Sequence, residues 1–243
     1  MSINKQIEEL AKQQGITYVG VASLSSVMTA VWEQGGDMVA GYPYSISLGI
    51  PLIKSIVDQL PNRDQRAVAL NYRLHAYDVI NRRLDMTASI ISSFIQNEGY
   101  KVLPIPAAER VDDERICASF SHKLGARLAG LGWIGKSCLL VTPEHGPRVR
   151  WTSILTDAPL EPTGEPMEEK CGECDQCVKI CPVNAFTGVN FQSNQPREAR
   201  YDARSCEKYF DEMKTNGEIA VCGMCMYVCP YGRRKSAHKL GTN

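Results

Sequence analysis

The sequence has no excess of either charge: Lys plus Arg and Asp plus Glu each number 27 among 243 residues. Such a molecule has no overall field with which to gather tRNA or anionic lipid, and only a local basic patch could do so. An apolar run of the roughly 18–20 residues needed for a membrane span is also missing. Met1–Gln14 has neither the basic start nor the apolar middle of a signal peptide. These absences predict a cytoplasmic protein with neither a membrane nor a nucleic acid as partner. No Walker-type motif is present, which argues against built-in use of ATP. A core is not excluded, since 44% of residues are hydrophobic and 22% charged.

Cysteine, by contrast, is abundant, with ten in the chain. Eight of them fall between Cys171 and Cys229 at metal-ligand spacings, which suits thiolates in a reducing compartment better than disulfides. Cys171, Cys174, Cys177 and Cys181, followed by Pro182, reproduce the bacterial ferredoxin run C-x2-C-x2-C-x3-C-P. In that run three thiolates wrap one cubane and the fourth reaches a second. Cys222, Cys225 and Cys229, followed by Pro230, supply three more ligands, and the isolated Cys206 completes the count. The expected partition is Cys171, Cys174, Cys177 and Cys229 on one [4Fe–4S] cluster, and Cys181, Cys206, Cys222 and Cys225 on the other. Structural zinc is the alternative, because it too uses Cys-x2-Cys pairs, but three close cysteines ending in Cys-Pro are foreign to it. Of the two left over, Cys138 lies in an apolar stretch as a small core residue, while Cys117 is open to a redox or substrate role.

Helices and strands interleave in the first 157 residues, which predicts a mixed α+β or α/β domain. Ser2 can cap a helix carrying Ile3, Ile7, Leu10 and Ala11 on one face. Strands are expected at Thr17–Ala22, Tyr44–Leu52, Lys101–Ile105, Ser137–Val141 and Val149–Leu155, with a long helix from about Tyr77 to Asn97. Pro159, Pro162, Pro166 and the pair Glu168-Glu169 mark a linker over 158–170, and the cysteine module occupies 171–243.

Ala129-Gly130-Leu131-Gly132-Trp133-Ile134-Gly135-Lys136, with the apolar strand after it, resembles the signature of epoxyqueuosine reductases and their relatives the reductive dehalogenases. Tyr77-Asp78-Val79-Ile80 with Arg82-Arg83-Leu84 resembles their tyrosine-led helix, and Cys206 matches their isolated cysteine. The resemblance implies a nitroreductase-like domain holding cobalamin, followed by a ferredoxin-like double-cluster module. It further implies electron flow from a low-potential donor such as ferredoxin or flavodoxin, through the clusters, to cobalt and a substrate. A macrocycle buried between domains has a short transfer path and is shielded from water. The sequence departs from the epoxyqueuosine reductases in two places. Their proton-donating aspartate falls, by a gap-free count, on Ile116, and the chain ends 14 residues after Cys229, where they continue into helical repeats. A small-molecule substrate is therefore expected in place of tRNA. Ser121-His122-Lys123 and His145-Gly146-Pro147-Arg148 mark a shorter branch.

His122 and Tyr77 are the candidate catalytic residues. His122 could donate a proton in place of the missing aspartate if its pKa is near neutral, or it could simply bond backbone near a helix cap. Tyr77 could donate a proton or only pack. Ser121, Lys123, Gly132, Lys136 and Arg148 are the candidate cofactor-binding residues. Ser121 and Lys123 stand at a helix start whose amides could take a phosphate or carboxylate, and Gly132 permits a tight turn or close approach to a ligand. Lys136 could pair with a cofactor amide or phosphate or lie on the surface. Arg148 shares a strand face with Arg150 and could meet an anionic group. Trp133 is read as a core anchor. The leading expectation is an iron–sulfur, corrinoid-dependent reductase. A non-catalytic electron-transfer protein, or a reductive activator of a partner's corrinoid or metalloenzyme, is the alternative.

Overall fold

A computed structural model describes residues 1–233; the last stretch of the expected module, 234–243, lies outside the described residues. The fold begins with α1 (Ile3–Gln13), where the Ser2 side chain accepts from the Lys5 amide and Ile7 and Ala11 are buried. β1 (Tyr18–Ser23), the short helices α2 (Met28–Gly35) and α3 (Asp37–Ala40), β2 (Tyr44–Pro51) and α4 (Lys54–Val57) follow. α5 (Arg66–Arg73) continues through a π-helical turn at Leu74–Val79 into α6 (Ile80–Asn97), and β3 (Val102–Ile105) comes next. α7 (His122–Leu128) leads to the small hairpin β4 (Trp133–Ile134) and β5 (Leu140–Val141), and β6 (Val149–Thr156) closes the domain.

β1, β2, β6 and β3 form one sheet in that order, each neighbour antiparallel. Of the two expected classes, this is the α+β one. Strand alternation sets the two faces. Ile46, Leu48 and Ile50 point to the side of α6, where Leu84, Ile91 and Ile95 join the main core. Ser45 and Ser47 point to the other side, where their small size and the bare Cα of Gly125 let α7 approach closely; a Cβ on Gly125 would stand 3.0 Å from the Ser45 hydroxyl.

The long helix starts earlier than its sequence suggests. Tyr77 sits inside the π turn, not at a helix start, because the backbone runs from α5 to α6 without a break. The strand expected at Ser137–Val141 is shortened to Leu140–Val141, since Cys138 takes a left-handed conformation, φ 54°, in the turn before it.

The segment 158–170 is held against the first domain. Ala158 and Leu160 are buried in the main core, Thr163 exchanges hydrogen bonds with Val21, and Glu161 does so with Asn4. The cysteine-rich part contains α8 (Gln176–Lys179), α9 (Ala203–Thr215), α10 (Met224–Val228) and α11 (Pro230–Arg233). Val221, Met224 and Met226 belong to the same core as Leu48 and Leu84, so the two parts share their apolar interior.

Candidate functional site

The eight cysteines are free thiols gathered into two groups. Cys177 is pushed up to about 11 by burial and then by Cys171, Cys229 and Cys174, and Cys229 also lies against Cys174. Cys206 is raised by burial and lies beside Cys222 and Cys181. Cys225 is raised most strongly, by burial and then by Cys222, Cys206, Cys177 and Cys181. The grouping is the crossed one: Cys229 joins the first run and Cys181 joins Cys206, Cys222 and Cys225. Cys225 of the second group also feels Cys177 of the first.

Local structure presents these sulfurs. Asp202 caps α9 by accepting from the Ser205 amide at 2.9 Å, and so fixes Cys206 in the first turn. Gly223, at φ 69°, turns the chain between Cys222 and Cys225, with Leu60 and Tyr72 of the first domain behind it. The Ala185 amide donates to the Cys181 sulfur at 3.3 Å, and the Tyr201 hydroxyl lies near enough to Cys206 to act on it. Desolvated thiols repelling one another, with N–H and O–H donors aimed at them, suit thiolates neutralised by iron. Among the described residues no group of three or more His, Cys, Asp or Glu is placed to hold a single metal ion.

The five residues expected to bind a cofactor each make a contact within the protein itself. Ser121 caps α7, accepting from the Leu124 amide. Lys123 donates from Nζ to the Cys138 carbonyl at 2.7 Å, and burial lowers its pKa. Gly132 abuts β5, where a Cβ would lie 2.3 Å from the Val141 carbonyl oxygen, so chain packing and not ligand approach requires it. Lys136 is buried and donates to the Gly172 carbonyl at 2.7 Å, gripping the first cysteine loop. Arg148, only 2% exposed, donates to Asp58 at 2.7 Å and to the Tyr227 carbonyl at 3.1 Å. The cavity beside Arg148 is about 220 Å³, below the roughly 300–1,000 Å³ of ordinary ligand sites. Arg148 and Lys136 are joints between the two parts of the molecule, and Gly146 acts with them, its Cα lying against Gly232 of α11.

His122 is the second correction. Both ring nitrogens are engaged: Nε2 donates to the Pro106 carbonyl at 3.0 Å, which leaves Nδ1 to accept from the Ser153 hydroxyl at 2.9 Å. Burial lowers its pKa to about 4, with Arg150 and Lys123 adding to the effect, so the imidazole is neutral at pH 7 and is not the near-neutral acid expected.

Tyr77 is placed differently. The π turn turns its ring, 36% exposed, toward Arg150, whose guanidinium lies 4.7 Å from the ring centroid. Burial raises the phenol's pKa, Arg150 opposes, and the thiols of Cys225 and Cys206 are near enough to act on it. Arg150 donates through Nε to Asn81 at 2.9 Å and has no carboxylate partner among the described residues. Tyr72 packs edge-on against Tyr77, their rings 6.0 Å apart. Sequence inspection did not find Asn81, Tyr72 or Tyr201; nothing in their local sequence distinguishes them from packing residues.

Residues 170–232 match the 4Fe-4S double cluster binding domain, which fits the two thiol groups. An epoxyqueuosine reductase of Listeria monocytogenes is 33% identical over 145 residues, which cover 54% of this chain and 36% of that protein. Another, from Gloeobacter violaceus, is 27% identical, covering 94% and 76%. The chain is related to the epoxyqueuosine reductases. Its match to the Listeria protein spans about a third of that protein's length. The fold agrees with two solved structures. An epoxyqueuosine reductase bound to an epoxyqueuosine-modified tRNA stem loop superposes with TM-score 0.58 at 19% identity, over 98% of this chain and 68% of the other. A reductive dehalogenase whose structure suggests a mechanism for B12-dependent dehalogenation superposes with TM-score 0.69 at 20% identity, over 95% and 32%. No helix among the described residues is long and apolar enough to cross a membrane.

Proposed function

We propose that the protein is a cytoplasmic iron–sulfur reductase. Electrons from a low-potential donor such as a ferredoxin or flavodoxin pass through two [4Fe–4S] clusters to a corrinoid and then to a small organic substrate. The observation that carries this is the placement of Tyr77, a proton donor near Cys225 and Cys206, with the Arg150 guanidinium over its ring.

The residues that fit a corrinoid or its substrate are those of this face, and not the five chosen from the sequence. A half-buried guanidinium with no carboxylate partner among the described residues suits an anionic or amide-bearing group, and Asn81 accepts from its Nε. Tyr77 keeps its proton at neutral pH because its pKa is raised, so it can donate to a carbanionic centre. Cobalamin bound here would supply a low-valent cobalt that collects single electrons from the clusters and delivers them to the substrate.

The absence of net positive charge supports a small substrate over tRNA. Anaerobic reconstitution with cobalamin tests the proposal. A tight complex with a shifted cobalt spectrum is expected, weakened roughly tenfold or more by Arg150→Met. Failure of cobalamin, flavin and tetrapyrrole alike to bind a fully cluster-loaded protein would instead favour a non-catalytic electron-transfer protein, a role in keeping with the structural use made of Lys136 and Arg148.

A further inference from the structure

The most constrained part of the sequence, the Gly-Leu-Gly-Trp-Ile-Gly-Lys turn, lies against the first cysteine loop. Trp133 is 1% exposed, and its ring is clamped edge-on by Tyr231 at 4.7 Å, with the Lys170 ammonium 5.8 Å from its centroid. Its Nε1 is buried without a hydrogen-bond partner among the described residues. Burying an indole N–H unsatisfied costs about 1–3 kcal/mol, and tryptophans so buried usually have a partner. The Cys171 thiol lies close enough for Trp133 and the Lys136 backbone amide to act on it. Gly135 keeps the turn pressed there: a Cβ on it would stand 3.3 Å from that sulfur. Lys136 locks the arrangement from the other side through Gly172. A neutral thiol is a poor acceptor, whereas an anionic, iron-bound thiolate is a good one. The N–H is thus poised for a ligand state of Cys171 and is poorly satisfied by the free thiol.

We infer that Trp133 is a hydrogen-bond donor to the Cys171 thiolate and, with the Lys136 amide, sets the reduction potential of the cluster held by Cys171, Cys174, Cys177 and Cys229. Donors to cluster sulfurs favour the more negative, reduced form and raise the potential. The turn is thereby a tuning element for the first cluster, supplied by the first domain and not by the cluster module. Trp133 acts through a ligand and touches no substrate, so it is a positioning residue. The inference rests on Cys171 being a cluster ligand.

Trp133→Phe removes the N–H and keeps a ring against Tyr231. In an anaerobic titration followed by electron paramagnetic resonance, about a tenfold fall in the reduced-to-oxidised ratio of one cluster is expected at fixed applied potential. That corresponds to a midpoint lower by about 59 mV for a one-electron couple, with the other cluster unchanged. A variant with full iron content and both potentials unmoved overturns the inference and leaves cluster ligation standing, whereas iron missing from the unaltered protein would defeat ligation itself. Should Trp133→Phe lose its cluster, the unaltered protein supplied with tryptophan labelled at the indole nitrogen gives an independent answer. Hyperfine coupling of one indole nitrogen to a reduced cluster supports the assignment, and its absence overturns it.

Discussion

Arg148 shows how one side chain can serve two parts of the molecule. Its stem packs against Gly232 and its two terminal nitrogens reach Asp58 and Tyr227. Asp58 is 55% exposed, so removing the arginine strands no buried carboxylate; the loss is hydrogen bonds and packing. Arg148→Met should therefore cost about 1–3 kcal/mol, read as a lower denaturant midpoint, and should speed loss of the cluster that includes Cys229. His122 gives a pH signature. Its pKa falls from 6.5 unfolded to about 4 folded, because burial disfavours the imidazolium. The unfolded state thus binds the extra proton between those values. The stabilisation is complete above about pH 6.5 and is lost as pH falls toward 4. His122→Gln, which cannot titrate, should flatten the fall of the urea midpoint between pH 7 and 5.

At the scale of the element, two close approaches decide where glycine is needed. Gly146, at φ 57°, carries no Cβ because one would sit 2.3 Å from the Gly232 amide nitrogen, whereas Gly99, at φ 89°, has nothing within 4 Å. Both substitutions to alanine meet the same backbone penalty, but only Gly146→Ala overpacks an interface, so it should be the more destabilising by about 1–3 kcal/mol in chemical denaturation. The elements differ in how legible they were. α1, β2, β6 and most of α6 were readable because their apolar periodicity is strong and local. The π turn was not, since an i→i+5 turn leaves no mark in composition, and with it went the outward placement of Tyr77. The cluster ligands could be read because their spacing is itself the signal. The duties of Lys136 and Arg148 could not be, because their partners lie 36, 79 and 90 residues away, and those at 36 and 79 are backbone carbonyls, which any residue can supply. A buried cation near a glycine-rich turn reads the same whether it binds a cofactor or a loop.

Taken whole, the molecule is one interior served by two sequence regions. Val221, Met224 and Met226 complete the core that α6 and β2 begin, and the joints at Gly146, Arg148 and Lys136 run along the first cluster. A chain cut after residue 157 should lose cooperative unfolding, checked by denaturant titration against the intact protein, because its apolar face would be left uncovered. The joint accounts for the contacts that Lys136 and Arg148 make within the protein, while Tyr77 lies on the side of the second cluster. All of this depends on the crossed ligation of two cubanes. The most direct test is iron and acid-labile sulfide analysis of oxygen-free protein, with Cys229→Ser and Cys181→Ser alongside. The expected result is about eight irons per chain, with Cys229→Ser damaging the same cluster signal as Cys171→Ser, and Cys181→Ser the same signal as Cys206→Ser. About four irons or fewer in the unaltered protein, or Cys229→Ser damaging the signal that Cys206→Ser removes, would contradict it.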